Sequence, residues 1–80
     1  MTKAQWAVTV SCIDAEGEPR LIAEGHWEEG RPPRLDRDVP REVLEAFERL
    51  SPLPTDIEGG ERVSAGEEDY EIRYVKDVTV

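Results

Sequence analysis

Cys12 and His26 are the side chains best suited to covalent or acid–base chemistry, and each is the one residue of its type in the sequence. A thiol and an imidazole within hydrogen-bonding reach of each other can perform nucleophilic catalysis. Both residues fall in segments where apolar and polar residues alternate, and this alternation places Cys12 on the apolar face and His26 on the polar face. We therefore expect no catalytic pair and interpret Cys12 as a buried structural residue, because free cysteines mostly behave as small apolar side chains.

The remaining potential sites for chemistry are weaker. Glu24, His26 and Glu28 alternate onto one face of a strand, but such neighbours are spaced loosely for one metal ion, and no second histidine or cysteine completes the set. The run Glu67-Glu68-Asp69 lies in an exposed, turn-like context, whereas acid–base catalysis requires a desolvated carboxyl group. Gly59-Gly60 lacks the spacing of a phosphate-binding loop. We predict a non-enzymatic protein that holds no metal ion or cofactor.

The acidic residues are the strongest functional signal, because 19 aspartates and glutamates against 10 lysines and arginines give a net charge of −9. Positions 42–71 contain ten carboxylates against two arginines, and positions 12–29 contain six against one. A row of carboxylates can take the place of phosphates in a nucleic-acid-binding groove. The alternative is an acidic surface that only keeps the protein soluble. The candidate partner-binding residues on this acidic surface are Glu42, Glu45, Glu48, Glu67, Glu68 and Asp69.

A basic loop separates the two acidic blocks. Four arginines fall within eleven residues, with Pro32 and Pro33 among them to stiffen the chain. This loop could bind a phosphate group or an acidic loop of a partner. The alternative is internal pairing with the surplus carboxylates. The candidate partner-binding residues of the basic loop are Arg31, Arg34 and Arg37, and Arg41 follows them.

Alternating residues predict two strands, at about positions 5–13 and 20–28, which a turn at positions 14–19 joins into a hairpin. With Ile13 opposite Arg20, every apolar pair falls on a single face. The predicted pairs are Cys12–Leu21, Val10–Ala23, Val8–Gly25 and Trp6–Trp27. The other face, which we expect to be solvated or used for binding, carries Thr9, Ser11, Glu24, His26, Glu71 and Arg73.

An apolar stripe at helical spacing predicts one α-helix at about positions 39–50, with Asp38 as its N-cap and Ser51-Pro52 at its end. A short third strand at positions 61–65 and a turn at positions 66–69 follow. The last strand spans positions 70–80, with either a bulge or a strand end near Val75-Lys76. The expected fold is a single α+β domain over residues 1–80, in β-β-α-β-β order, with the helix on one face of a small antiparallel sheet.

We carry three hypotheses for function. The first is an interaction protein that binds a basic, nucleic-acid-binding protein surface; its size and charge resemble those of phage- or mobile-element-encoded anti-CRISPR and anti-restriction inhibitors, or of immunity proteins against nuclease toxins. The second is a structural module acting as a homodimer. The third, ranked last, is a small enzyme or ligand-binding protein using Cys12 or His26.

A sequence pI near 4.5 disfavours direct binding to nucleic acid. Without a signal peptide or an apolar run of membrane-spanning length, we expect a cytoplasmic protein.

Overall fold

The computed structural model describes residues 4–50 and 57–76, which form a five-stranded antiparallel sheet and one α-helix. The elements are β1 (Gln5–Ile13), β2 (Pro19–Glu28), β3 (Arg34–Leu35), α1 (Arg41–Leu50), β4 (Glu58–Ala65) and β5 (Glu68–Lys76). The strand order is β3-β2-β1-β5-β4, so the two hairpins meet where β1 pairs with β5. The predicted α+β class is confirmed, with one more short strand than expected.

The register of the first hairpin agrees with the prediction over most of its length. The pairs Trp6–Trp27, Val8–Gly25 and Val10–Ala23 are all confirmed. The predicted pairing of Cys12 with Leu21 is wrong, because the register shifts by one residue after Val10 and Cys12 pairs with Arg20. A bulge of this kind places one extra residue in one strand and moves the side chains beyond it to the other face. Leu21 accordingly lies opposite Ser11 and is 55% exposed.

The core lies between one face of the sheet, here called the helix face, and helix α1. Trp27 is central to it, because its ring packs edge-to-face on Phe47 at 5.1 Å and on Tyr74 at 5.6 Å. Trp6 lies beside Trp27 with ring centroids 6.1 Å apart. Aromatic pairs of this geometry contribute about 0.5–1.5 kcal/mol each beyond their buried area. The buried core residues are Trp6, Val8, Val10, Ala23, Trp27, Val43, Ala46, Phe47, Val63, Ile72 and Tyr74.

Helix α1 begins two residues later than predicted. The N–H groups of Val43 and Leu44 donate to the carbonyl oxygen of Pro40, at 3.0 and 3.3 Å. Pro40 therefore occupies the cap position that the sequence assigns to Asp38. The physical reason is that a residue preceding proline is disfavoured in the helical conformation, which keeps Val39 outside the helix.

The edge strand β3 forms inside the stretch predicted to be an irregular loop. Arg34 and Leu35 pair with His26 and Gly25 of β2, and the Asp36 N–H donates to the Glu24 carbonyl oxygen at 2.9 Å. Gly25 permits this close approach, because a Cβ atom there would overlap the carbonyl oxygen of Arg34. The prolines that precede Arg34 limit the pairing to two residues.

The second hairpin is longer and tighter than predicted. Strand β4 begins at Glu58 rather than at position 61, and Ala65 pairs with Glu68, so the turn is Gly66-Glu67 alone. Gly66 has a φ of 64°, which glycine adopts without steric cost. No bulge occurs near Val75, because β1 and β5 pair without a shift from Ile13–Asp69 to Trp6–Lys76. The predicted continuation at positions 77–80 lies outside the described residues.

Candidate functional site

The turns of the two hairpins lie side by side at one end of the sheet. Strand β1 runs into its turn after Ile13, and β5 leaves its own turn at Glu68. Because Ile13 pairs with Asp69, these turns are neighbours in space although about fifty residues separate them in the chain. The two turns and the strand residues next to them carry six carboxylates, which we call the acidic end: Asp14, Glu16, Glu18, Glu67, Glu68 and Asp69.

The first turn is held by its own aspartate. The Oδ1 atom of Asp14 accepts the backbone N–H groups of Glu16 and Glu18, both at 2.9 Å. Gly17 completes the turn with a φ of 84°, and its N–H donates to the Asp14 carbonyl oxygen at 2.9 Å. These bonds order the backbone and leave the side chains of Glu16 and Glu18 exposed.

Two side-chain hydrogen bonds brace the second turn. The Ser64 hydroxyl donates to Asp69 Oδ1 at 2.8 Å, across the second pair of strand residues after the turn. The Cys12 thiol donates to Glu68 Oε2 at 3.4 Å, which joins the end of β1 to the start of β5. Glu67 is exposed at the tip. Both acidic turns are thus held by local bonds that orient some carboxylates and leave others facing solvent.

The pKa values of two groups near the acidic end are raised, first by burial and then by the negative charges around them. The pKa of the Cys12 thiol is raised, first by burial and then by the hydrogen bond and charge of Glu68; the Arg20 charge opposes this and Asp14 adds to it. The pKa of Tyr70 is raised first by burial, then by the charges of Cys12, Glu68 and Glu42. Glu42, in the first turn of helix α1, therefore contributes to the same potential.

Within the described parts of the chain, none of the six carboxylates of the acidic end forms an ion pair with an arginine or lysine. The ion pairs Arg31–Glu28 at 3.7 Å, Arg49–Glu61 at 3.3 Å and Arg73–Glu71 at 3.6 Å lie elsewhere. Arg20 lies opposite Cys12 at this end and its charge lowers the pKa of the thiol, but it is exposed and forms no ion pair with these carboxylates. Like charges gathered in excess raise the potential of a surface and favour a cationic partner.

The six candidate acidic residues divide between two places. Glu67, Glu68 and Asp69 belong to the acidic end, and Glu42 lies close enough to act on Tyr70. Glu45 and Glu48 are exposed farther along the helix, and Glu48 borders a cavity of about 450 Å³ beside the basic loop. The sequence pattern missed the contribution of Asp14, Glu16 and Glu18, because nothing local shows that β1 and β5 are neighbours.

The candidate arginines of the basic loop are all exposed. Arg31 follows the end of β2 that is remote from its turn, and it pairs with Glu28. Arg34 lies in β3 opposite His26, and Arg37 lies beside the Leu21–Glu24 stretch of β2. The expectation that two acidic surfaces flank this basic loop stays a prediction. Folding brings the acidic turns together and leaves Arg31 and Arg34 toward the opposite end of β2.

Cys12 and His26 lie on opposite faces of the sheet, as predicted. Cys12 pairs with Tyr70 on the helix face, and His26 pairs with Ala7 on the open face, which no helix covers. Cys12 is half-buried rather than buried, because it lies at the end of its strand.

No cluster of three histidine, cysteine or carboxylate residues that could hold a metal ion is present in residues 4–50 and 57–76. The same residues contain no helix long and apolar enough to cross a membrane.

Comparisons with known proteins return no relative. No protein-family model, no curated protein and no solved structure matches the chain.

Proposed function

We propose that this chain is a non-enzymatic binding protein whose acidic end occupies the nucleic-acid-binding surface of a basic partner protein. One observation carries the proposal. Two turns distant in sequence bring six carboxylates to one end of the sheet, and no ion pair to an arginine or lysine neutralises any of them within the described residues. A chain that only needed solubility could distribute these charges and pair some of them.

The acidic end has the chemical character of a short stretch of phosphate backbone. Carboxylates, like phosphates, accept paired hydrogen bonds from arginine, and charge-assisted bonds of this kind are about twice as strong as neutral ones. Asp14 accepts hydrogen bonds within its own turn, Glu68 accepts one from the Cys12 thiol, and Asp69 accepts one from the Ser64 hydroxyl. These bonds already hold the acidic residues and so reduce the entropy lost on binding. Charge attraction also speeds encounter with a basic groove.

The partner that best fits this chemistry is an enzyme that binds nucleic acid, such as a CRISPR effector or a restriction enzyme, and the chain would act as its inhibitor. Such enzymes concentrate arginine and lysine in the groove that receives the phosphate backbone. The net charge of −9 opposes direct binding of the chain to nucleic acid, so competition for the groove is the favoured mode. These partners act in the cytoplasm, which agrees with the compartment expected from the sequence.

The test uses a panel of purified CRISPR effectors, restriction endonucleases and nuclease toxins, with binding titrated at low and high salt. The acidic-end variant carries Glu16→Gln, Glu18→Gln and Glu67→Gln, which change exposed side chains and keep the bracing bonds. We expect one partner to bind, a short DNA duplex to compete for it, and the variant to bind about tenfold or more weakly.

The matched control variant carries Glu24→Gln, Glu29→Gln and Glu45→Gln, which remove the same three charges from other surfaces. We expect it to bind within about twofold of the unmodified chain, because charges distant from the acidic end are screened beyond about 8 Å at physiological salt. Equal losses in both variants would mean nonspecific attraction to charge and would refute the proposal. So would the absence of binding to every member of the panel at low salt.

A further inference from the structure

The two edges of the sheet differ in how far they are protected from pairing with another chain. Strand β3 has two residues and follows Pro32-Pro33, so it offers little unpaired backbone. Strand β4 has eight residues and contains neither proline nor lysine. Short strands, proline and lysine are common means by which proteins prevent edge-to-edge pairing. Glu61, whose charge points to the helix face, is paired with Arg49 and so presents no unpaired charge to an incoming strand.

The hydrogen bond from the Lys76 N–H to the Ile57 carbonyl oxygen, at 2.6 Å, shows which backbone groups of β4 point outward. In an antiparallel pair, successive residues direct their N–H and C=O groups alternately toward and away from the neighbouring strand. Because the Ile57 carbonyl points to β5, the groups of Glu58, Gly60 and Arg62 point away from β5, toward the free edge.

We propose that two copies of this chain pair through their β4 strands, antiparallel, around a two-fold axis at Gly60. In this register Gly60 lies opposite Gly60 of the second copy, and Glu58 lies opposite Arg62. Symmetry repeats the Glu58–Arg62 pair on the other side of the axis, so three pairs can each exchange two backbone hydrogen bonds, which gives six across the interface. Glu58 and Arg62 are exposed on the open face, and neither has an ion-pair partner within the described chain.

A second observation on the helix face selects the same register. Ile57 is 68% exposed, more than any other large apolar side chain among the described residues. With the axis at Gly60, Ile57 lies opposite Val63 of the second copy. Both side chains are on the helix face, where Val63 is part of the core. The pairing that forms two Glu58–Arg62 ion pairs therefore also brings an exposed isoleucine against an apolar partner.

Neighbouring registers lack this complementarity. An axis at residue 61 places Glu61 opposite Glu61 of the second copy, and an axis at residue 62 places Arg62 opposite Arg62. Like charges directly opposite each other destabilise a strand pair. An axis at residue 59 sets Ile57 against Glu61 and forms no Glu58–Arg62 pair. The side chains of β4 therefore specify one self-complementary register, as an interface with two-fold symmetry requires.

The dimer is independent of the partner binding proposed above. Because the two β4 strands run in opposite directions, the acidic ends of the two copies point away from each other along the joined ten-stranded sheet. Each remains free to bind. A failure of either proposal therefore leaves the other standing.

The test measures mass against concentration, by light scattering and sedimentation, for the unmodified chain and the variants Arg62→Glu and Glu58→Arg. We expect a concentration-dependent dimer for the unmodified chain. Each single variant places like charges opposite each other twice, and we expect its dimer dissociation constant to rise about tenfold or more. Mixing the two single variants restores both ion pairs, so the mixture is expected to form a heterodimer. The double variant E58R/R62E should dimerise as well.

Arg37→Glu is the matched control, because it makes the same charge change at an exposed site outside β4 and should leave the dimer intact. Circular dichroism of each variant checks that it folds. An unmodified chain that stays monomeric up to about 1 mM would overturn the proposal. A dimer that the single variants do not weaken, or a mixture that stays monomeric, would overturn it equally.

Discussion

The thiol of Cys12 donates a hydrogen bond to the carboxylate of Glu68 at 3.4 Å, across 56 positions of sequence. This contact joins the end of β1 to the start of β5, at the point where the two acidic turns become neighbours. Burial, Glu68 and Asp14 all raise the pKa of the thiol. The reactivity of Cys12 is therefore a direct probe of the acidic end.

We expect Glu68→Gln to make Cys12 react faster with a thiol reagent at mildly alkaline pH. A raised pKa means less thiolate at a given pH, and removing the Glu68 charge lowers the pKa toward its ordinary value. The measurement is the rate of disulfide exchange with an aromatic disulfide reagent as a function of pH, whose midpoint should move down. Glu45→Gln, on the solvent side of the helix, is the control and should leave the midpoint in place. An unchanged midpoint in Glu68→Gln would contradict the contact.

Stability should decline at alkaline pH because the pKa values of Cys12 and Tyr70 are both raised in the folded chain, from ordinary values of 9.0 and 10.0. A raised pKa means that the folded state binds the proton more tightly, so this stabilisation is complete below the ordinary pKa and is lost as pH rises through the raised value. Urea unfolding midpoints at neutral pH and above pH 10 measure the effect. We expect the variant with Cys12→Ser and Tyr70→Phe to lose less stability at alkaline pH than the unmodified chain. An equal loss in both proteins would show that other groups cause the alkaline decline.

Trp27 should be among the most sensitive positions for stability. Its ring contacts Trp6, Phe47 and Tyr74, and its Nε1 donates to the Arg31 carbonyl oxygen at 2.9 Å. We expect Trp27→Ala to lower the free energy of unfolding by about 3–5 kcal/mol, as large-to-small core substitutions do. This is a large share of what a small domain has, so the variant is expected to be partly unfolded at room temperature.

Trp27→Phe separates the ring packing from the hydrogen bond. It keeps an aromatic ring and loses the Nε1 donor to Arg31, so we expect a smaller loss of about 1–2 kcal/mol. Urea unfolding followed by circular dichroism measures both variants. Equal losses for alanine and phenylalanine would show that the hydrogen bond, rather than the aromatic packing, dominates at this position.

Gly25→Ala should detach the edge strand β3. The added methyl group would overlap the Arg34 carbonyl oxygen, and this contact is with backbone that cannot rotate away. We expect the Asp36 amide, which donates to the Glu24 carbonyl oxygen, to lose its protection from hydrogen exchange while amides of β1 keep theirs. Ala7→Gly, which changes a single methyl group on the open face, is the comparison. Retained protection at Asp36 in Gly25→Ala would contradict the close approach of β3.

Much of the fold could be predicted because its signals are local. The alternation along residues 5–13 defines β1, and the matching apolar positions of β2 define the register as far as Val10–Ala23. The bulge after that pair could not be predicted, since it has no local signature in side-chain type. The apolar stripe predicts the helix, but the helix begins two residues later than predicted because capping by Asp38 competes with the restriction that Pro40 imposes on Val39.

The candidate site was predicted less well than the fold. Glu67, Glu68 and Asp69 were identified as a group because they are consecutive, and their position in the acidic end follows from the second hairpin. The candidates that the sequence identifies do not include Asp14, Glu16 and Glu18, and the sequence does not show that Arg31 lies away from the acidic turns. Both relationships depend on which strands are neighbours, and pairing between distant segments leaves no periodic trace in either segment.

The sequence by itself determined the charge, the apolar periodicities and therefore the two hairpins and the helix, because each depends on residues within a few positions of one another. Only the tertiary structure decided that β5 lies beside β1 and that β4 is left as a long open edge. The reason is that packing the apolar faces of both hairpins under one helix is a cooperative, long-range event. Its result sets Ile13 opposite Asp69 and so gathers the acidic turns at one end of the sheet.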